Sequence, residues 1–186
     1  MMPAFTKKAI ADSFLKLLRE KPLDKITIKD IVEDCGINRN TFYYHFSDIP
    51  ALVETILKEE TERVLGERLG EDSWEEGFIA ATRFALENKR SIYHIYNSVN
   101  REIFEQYLNQ IGMDVMERFV WKAAERFDVS EEDKKLMASF YRAALTGMIL
   151  DWLASGMKYE PEEVVRRLGV MLDGSIEAAF ARVAGT

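Results

Sequence analysis

Residues 27–46 read T-I-K-D-I-V-E-D-C-G-I-N-R-N-T-F-Y-Y-H-F, and this stretch predicts a helix-turn-helix. Apolar side chains recur at helical spacing between Ile28 and Cys35, and Thr27 precedes them as a capping residue. Gly36 favours the left-handed backbone that ends a helix. A second short helix follows after only two more residues.

The second helix is predicted from Arg39 to His45, with Asn38 as its N-cap. Phe42 and Phe46 are its apolar anchors, and its other side chains are polar or amphipathic. A helix that is anchored by only two apolar side chains leaves its remaining face available to a partner. Arg and Asn side chains bond guanine and adenine in the DNA major groove. The pattern therefore indicates DNA recognition, although a helix-turn-helix in an all-helical protein is often only a packing motif.

The rest of the chain predicts further helices and no strand, which makes an all-α fold of about nine helices. No run alternates with period two, and the four prolines stand near expected helix ends. The expected helices cover roughly residues 6–20, 28–35, 39–45, 48–66, 73–87, 92–96, 101–127, 130–154 and 161–183. We expect a helix-turn-helix DNA-binding domain over 1–50 and a second helical domain over 51–186.

Composition and charge narrow the class of protein. The chain is 47% hydrophobic, contains no membrane-spanning apolar run or secretory leader, and has one cysteine, which together predict a folded cytoplasmic protein. Residues 1–50 carry 8 Lys and Arg against 7 Asp and Glu, whereas residues 51–186 carry 17 against 25. The first part thus has a net charge of +1 and the second part −8, which sum to −7, and nucleic-acid binding by the first part stays open.

The run G-I-N-R-N-T-F-Y-Y-H-F at residues 36–46, with Leu52 six residues on, resembles the signature of TetR/AcrR-type bacterial transcriptional regulators. The likeness covers about residues 6–57. It implies a homodimer whose N-terminal domains bind a palindromic operator in double-stranded DNA. It also implies that the helical part over 51–186 is an effector-binding and dimerisation domain, which binds a small effector molecule.

Carried over by position, the resemblance assigns roles to side chains of the motif. Thr27 would contact phosphate, Arg39 and Asn40 would face bases, and Tyr43 would touch bases or backbone. Phosphate contacts would also come from Thr41, Tyr44 and His45. Together with flanking groups, the expected DNA contacts are Thr27, Lys29, Asn38, Arg39, Asn40, Thr41, Tyr43, Tyr44 and His45.

One position departs from the family pattern. A lysine usually stands three residues after the last phenylalanine of the motif, where this chain has Ile49 in S-D-I-P-A-L. The difference removes an expected phosphate contact and places Asp48 nearby, so operator affinity is expected to be lower or redistributed. Ser47 is expected to cap the fourth helix.

The C-terminal part resembles a subset of the family related to dihydroxyacetone-kinase regulators, through G-M-I-L-D-W-L-A-S-G-M at 147–157 and P-E-E-V-V at 161–165. The last two helices of such proteins usually form the dimer, although these apolar stripes also suit an ordinary core. The expected dimer contacts are Leu145, Met148, Ile149, Trp152, Leu168, Leu172 and Ala179.

Aromatic residues crowd the middle of the chain. A pocket lined by aromatic rings would suit an apolar or amphipathic effector, although rings at helical spacing are more often core. The expected pocket residues are Phe78, Tyr93, Tyr96, Phe104, Tyr107, Phe119 and Trp121.

No pattern of catalytic or metal-binding residues is found, since His45, His94 and Cys35 lack zinc-ligand spacing and no phosphate-loop or hydrolase motif occurs. We therefore expect no catalytic residue, metal or cofactor. The predicted function is a dimeric DNA-binding regulator, a repressor relieved by a small molecule. The alternatives are a dimeric scaffold or co-regulator that acts through protein partners, and a helical enzyme that uses carboxylates between its helices.

Overall fold

The computed structural model describes residues 3–65 and 73–185, and these residues form helices and no strand. The all-α class predicted from the sequence is confirmed. A 3-10 turn at Leu23–Lys25 separates the first two of ten described α-helices. The helices are α1 (Pro3–Glu20), α2 (Ile28–Cys35), α3 (Arg39–His45), α4 (Ile49–Leu65), α5 (Trp74–Glu87), α6 (Lys89–Tyr96), α7 (Arg101–Ala124), α8 (Glu131–Ala154), α9 (Pro161–Leu172) and α10 (Ser175–Ala184).

The single final helix expected over residues 161–183 is in fact two helices. Asp173 has the extended ψ of 128°, and Gly174 lies in the left-handed region at φ 67°. Neither conformation continues an α-helix, and glycine adopts the left-handed one without steric cost. The other bounds differ by a few residues. Gly66, expected at the end of the fourth helix, lies outside the described residues.

The chain forms two compact units. The first unit comprises the chain up to Glu60 together with Asn88–Tyr107, and the second comprises Thr61–Glu87 together with the chain from Leu108 onward. This structural grouping differs from a division at residue 50, because α6 and the beginning of α7 belong with the N-terminal helices. The division of function at residue 50 stays a prediction.

In the first unit, α1 packs against both α2 and α6, and α2 packs against α3. Its core is aliphatic and phenylalanine-rich, and each large side chain buried there contributes about 1.5–3 kcal/mol relative to exposure. The fully buried members are Ile10, Phe14, Leu18, Ile31, Phe42, Leu52 and Val53. This core fixes the helix-turn-helix against α1.

In the second unit, α5 packs against α9. Gly169 lies at this contact, and a Cβ there would force the Glu75 side chain to move. The core cluster contains Trp74, Phe78, Met116, Val120, Ala124, Ala138, Val165, Ile176 and Phe180. No helix in the described ranges is both long enough and apolar enough to cross a membrane.

Candidate nucleic-acid interface

The first helix of the motif, α2, begins with a reciprocal cap. The Asp30 N–H donates to Thr27 Oγ1 at 3.2 Å, and the Thr27 N–H donates to Asp30 Oδ2 at 2.8 Å. Two backbone donors that the helix itself leaves unpaired are thereby satisfied. Thr27 is consequently held at an exposed helix N-terminus, where positive partial charge favours an anion such as phosphate.

The turn between α2 and α3 follows the predicted chemistry. Gly36 has a φ of 70°, and the Ile37 N–H closes the end of α2 on the Val32 carbonyl oxygen at 3.0 Å. The Thr41 N–H donates to Asn38 Oδ1 at 2.9 Å, and the Thr41 hydroxyl donates to the same oxygen at 3.1 Å. The caps at Thr27 and Asn38 and the glycine turn are confirmed, and they set the direction of α3.

The second motif helix, α3, separates buried anchors from an exposed surface. Phe42 is 0% exposed and Phe46 is buried beside it, with ring centroids 5.9 Å apart. Tyr44 is 79% exposed, and Arg39 and Asn40 are exposed as well. The helix is therefore fixed by two rings and offers hydrogen-bonding groups on its other sides.

The structure brings all nine expected DNA-contact residues together along α2 and α3 of the first unit. Most are exposed, whereas Thr41 and His45 are half-buried. Lys29 forms an ion pair with Glu33 at 3.7 Å. Their contact with DNA stays a prediction.

Two aspartates of α2 are neutralised by lysines from the region of α1. Lys16 Nζ lies 2.5 Å from Asp34 Oδ1, and Lys21 Nζ lies 2.9 Å from Asp30 Oδ2. The Lys21 hydrogen bond and the two from Thr27 lower the pKa of Asp30 to about 2. The Lys16 hydrogen bond likewise lowers the pKa of Asp34. These pairs offset two negative charges close to a surface expected to meet phosphates.

Asp48 has a local structural role beside the motif. The Ala51 N–H donates to Asp48 Oδ1 at 2.8 Å, so Asp48 caps α4. The expectation that Ser47 would cap this helix is wrong, because α4 begins one residue later than that cap requires. The aspartate that accompanies Ile49 thus stabilises a helix start.

The expected pocket residues fall into two groups. Phe78 belongs to the core cluster of the second unit, with Phe119 and Trp121 half-buried against it. Tyr93, Tyr96, Phe104 and Tyr107 belong to the first unit. There Tyr96 packs edge-to-face on Phe104, with centroids 6.5 Å apart, and the Tyr107 hydroxyl donates to the Leu57 carbonyl oxygen.

The expected dimer residues need one correction. Trp152 is 1% exposed within a single chain, and its Nε1 donates to the Tyr159 carbonyl oxygen at 2.9 Å. A side chain enclosed in this way cannot also cover a partner, so we remove Trp152 from the expected interface. The others are half-buried, and four of them pack against the core cluster of their own unit: Leu145, Met148, Ile149 and Leu168.

A different set of apolar side chains lies on the surface of the second unit. On α8, Leu136 is 69% exposed and Phe140 is 66% exposed; on α9, Val170 and Met171 are also exposed. We call Leu136 and Phe140 the apolar face. On α8 it continues through Ala143, Ala144 and Gly147, at helical spacing. The helical spacing of apolar residues in the sequence predicts an apolar stripe along α8. The same spacing also fits the buried stripe beside it, so it does not tell which of the two is exposed.

Comparisons with known proteins agree with this geometry. Residues 10–56 match the family described as "Bacterial regulatory proteins, tetR family", and residues 72–174 match the one described as "Transcriptional regulator C-terminal region".

Curated relatives are also regulators of the helix-turn-helix type. The uncharacterized regulator YxbF of Bacillus subtilis is 26% identical over 176 residues, which are 90% of this chain and 44% of YxbF. YvdT of the same organism is 37% identical over 70 residues, 35% of this chain and 36% of YvdT. This chain matches less than half the length of either. DhaS of Lactococcus lactis, an activator of the dhaKLM operon, is 20% identical over 83% of both chains.

Solved structures share the fold. The dihydroxyacetone kinase operon activator DhaS superposes with a TM-score of 0.72 at 19% identity, over 93% of this chain and 97% of that one. NalD of Pseudomonas aeruginosa, the secondary repressor of the MexAB-OprM efflux pump, gives 0.62 at 17% identity, over 92% and 96%. With the family matches over both parts of the sequence, the chain belongs to the TetR family of bacterial transcriptional regulators.

Proposed function

We propose that this protein is a dimeric repressor that binds a two-fold symmetric operator and is released from it by a small-molecule effector. One observation carries the proposal: α3 exposes Arg39, Asn40, Tyr43 and Tyr44 while its two phenylalanines are buried. A rigid helix with such a surface suits the major groove of DNA.

The chemistry of these side chains separates those suited to bases from those suited to phosphates. Arg39 can donate two hydrogen bonds to guanine O6 and N7, and Asn40 can pair with adenine N6 and N7. Hydroxyl groups such as that of Tyr44, and the N-terminus of α2 at Thr27, suit phosphate oxygens. A protein that binds operator DNA must be in the same compartment as the chromosome. We therefore place this chain in the bacterial cytoplasm.

Assembly into a dimer is supported by the apolar face. Large apolar side chains that are two-thirds exposed are unfavourable in water and are stabilised when a second surface covers them. One recognition helix reads only a few base pairs, so useful specificity needs a second half-site read by a second copy. The apolar face therefore replaces Trp152 as the proposed centre of that contact.

Control by an effector is proposed for the second unit. Its core is rich in aromatic rings, among them Phe78, Phe119 and Trp121, which would suit an apolar or amphipathic ligand. Repression needs only occupation of a promoter, which the α3 surfaces of the two copies in a dimer can provide. The relatives include both an activator and a repressor, DhaS and NalD.

The decisive experiment is selection of DNA duplexes from a random pool by the full chain, followed by titration of the selected and a scrambled duplex. We expect a selected site with two-fold symmetry that binds at least about 1,000-fold more tightly than the scrambled one at the same salt concentration. A reporter placed downstream of that site should be repressed. If selection enriches no sequence, the repressor proposal fails and the scaffold or co-regulator alternative is favoured.

A further inference from the structure

Two side chains of helix α6 form hydrogen bonds with the end of α1, although the two helices lie far apart in the sequence. His94 Nδ1 lies 2.6 Å from the Leu18 carbonyl oxygen, and Arg90 Nη2 donates to the Glu20 carbonyl oxygen at 3.2 Å. A carbonyl oxygen only accepts, so the His94 ring carries its proton on Nδ1. Both carbonyls belong to the last turn of α1, whose oxygens have no partner within the helix.

Apolar packing supports the same contact. Ile92 and Ile95 of α6 are buried, and α6 packs along α1. Just beyond α6, the Val99 N–H donates to Asp24 Oδ1 of the 3-10 turn at 3.3 Å. Three polar contacts and an apolar seam thus hold the segment from Leu18 to Asp24.

That segment also contacts the motif. Lys21, the residue after α1, pairs with Asp30 at 2.9 Å, and Asp30 closes the cap on Thr27 through the backbone and the hydroxyl, each at 2.8 Å. The hydrogen bonds therefore run from α6 to the end of α1, then through Lys21 to Asp30, and end at Thr27. This path lies entirely within the first unit.

We infer that Arg90 and His94 are positioning residues for operator binding: they hold the end of α1, and through Lys21 and Asp30 they fix the N-terminus of α2 at Thr27 against the DNA backbone. The inference rests on the proposed function, because it takes the N-terminus of α2 as a phosphate contact. Neither α6 side chain touches DNA in this arrangement. Their effect on operator affinity is geometric.

The test measures operator affinity of full-length variants on the selected duplex. Arg90→Ala and His94→Leu should each weaken binding about threefold to tenfold, the range that one hydrogen bond contributes. His94→Asn should keep near wild-type affinity, because its amide can donate where Nδ1 does. Arg19→Ala is the matched control, since it removes an exposed positive charge from the last turn of α1. If His94→Asn binds as weakly as His94→Leu, the donor role is wrong.

Salt dependence separates positioning from direct contact. Loss of a charged phosphate contact lowers the slope of log affinity against log salt concentration by about 1. Arg90→Ala should leave that slope unchanged although affinity falls. A slope lowered by about 1 would make Arg90 a phosphate contact and overturn the inference.

A double variant tests the path itself. His94→Leu should cost little extra affinity when Lys21→Ala is already present, because residues in one hydrogen-bonded network do not act additively. Fully additive losses would refute the path through Lys21. If the wild-type chain selects no operator at all, it is the proposed function that fails, and thermal unfolding of the same variants still reports whether the α6 contacts exist.

Discussion

The exposed sides of α3 and α8 are built in opposite ways. On α3, exposed side chains such as Arg39 and Tyr44 end in polar groups, and buried phenylalanines fix the helix beneath them. On α8, the exposed Leu136 and Phe140 end in hydrocarbon, and half-buried neighbours hold the helix to its own core. The surface of α3 can replace its hydrogen bonds to water with hydrogen bonds to a polyanion. The surface of α8 is stabilised only when an apolar surface covers it.

The largest expected effect on operator affinity would come from a charge on the apolar face. Phe140→Glu should separate the proposed dimer, and operator affinity should fall about 100-fold or more because the second half-site is no longer engaged. Lys135→Ala changes the net charge equally and should leave both properties intact. Sedimentation velocity and operator titration give the two readouts. A variant that still sediments as a dimer would show that α8 is not the dimer surface.

The largest expected effect on stability would come from a buried anchor of α3. Phe42→Ala should lower the free energy of unfolding by about 3–5 kcal/mol, since it opens a cavity at a fully buried site. Tyr43→Ala, at the next position but exposed, should change stability by less than about 0.5 kcal/mol. Denaturant unfolding measures both. Equal losses would mean that α3 is not divided into an anchored and a free side.

A smaller effect should come from the side chain expected to read bases. Arg39→Ala should cost about 1–3 kcal/mol on the selected operator and relax preference at one position. Lys29→Ala should instead weaken all duplexes nearly equally. Titration against operator and scrambled DNA distinguishes them. If Arg39→Ala weakens binding to both duplexes by the same factor, Arg39 does not recognise bases.

The smallest effect concerns pH and the cap on α2. The pKa of Asp30 is lowered from 3.8 to about 2 by Lys21 and Thr27. Its charge therefore stabilises the folded state above about pH 4, and this contribution is lost as the pH falls from about 4 towards 2. Thermal unfolding of Asp30→Asn should show a shallower loss of stability across that window than wild type. Asp12→Asn is the charge control, and an equal flattening there would contradict the role of Asp30.

The motif could be predicted closely because its determinants are local. Thr27, Gly36 and Asn38 act within four residues of themselves, so spacing alone specifies the caps and the turn. The pairs Lys16–Asp34 and Lys21–Asp30 join different segments, and nothing in a linear pattern selects one lysine over another. The same is true of the contacts between α6 and α1.

The C-terminal helices were harder to predict, for two reasons. An amphipathic stripe does not distinguish a core from an interface, so Trp152 and Phe140 look alike in sequence although one is enclosed and the other exposed. The break at Gly174 interrupts a stripe whose periodicity continues on both sides, and a lone glycine in a helical pattern is an ambiguous signal.

The first unit is not contiguous in the chain, and this limits how its parts can be inherited or exchanged. A recombination event that transferred only the chain up to Glu60 would deliver the motif without Arg90 and His94. The end of α1 would then pack against the α6 helix of the recipient protein. A chimera intended to carry the inferred operator affinity into another regulator would therefore need Asn88–Tyr107 as a second insert, so that this affinity would be transmitted as two segments of the gene.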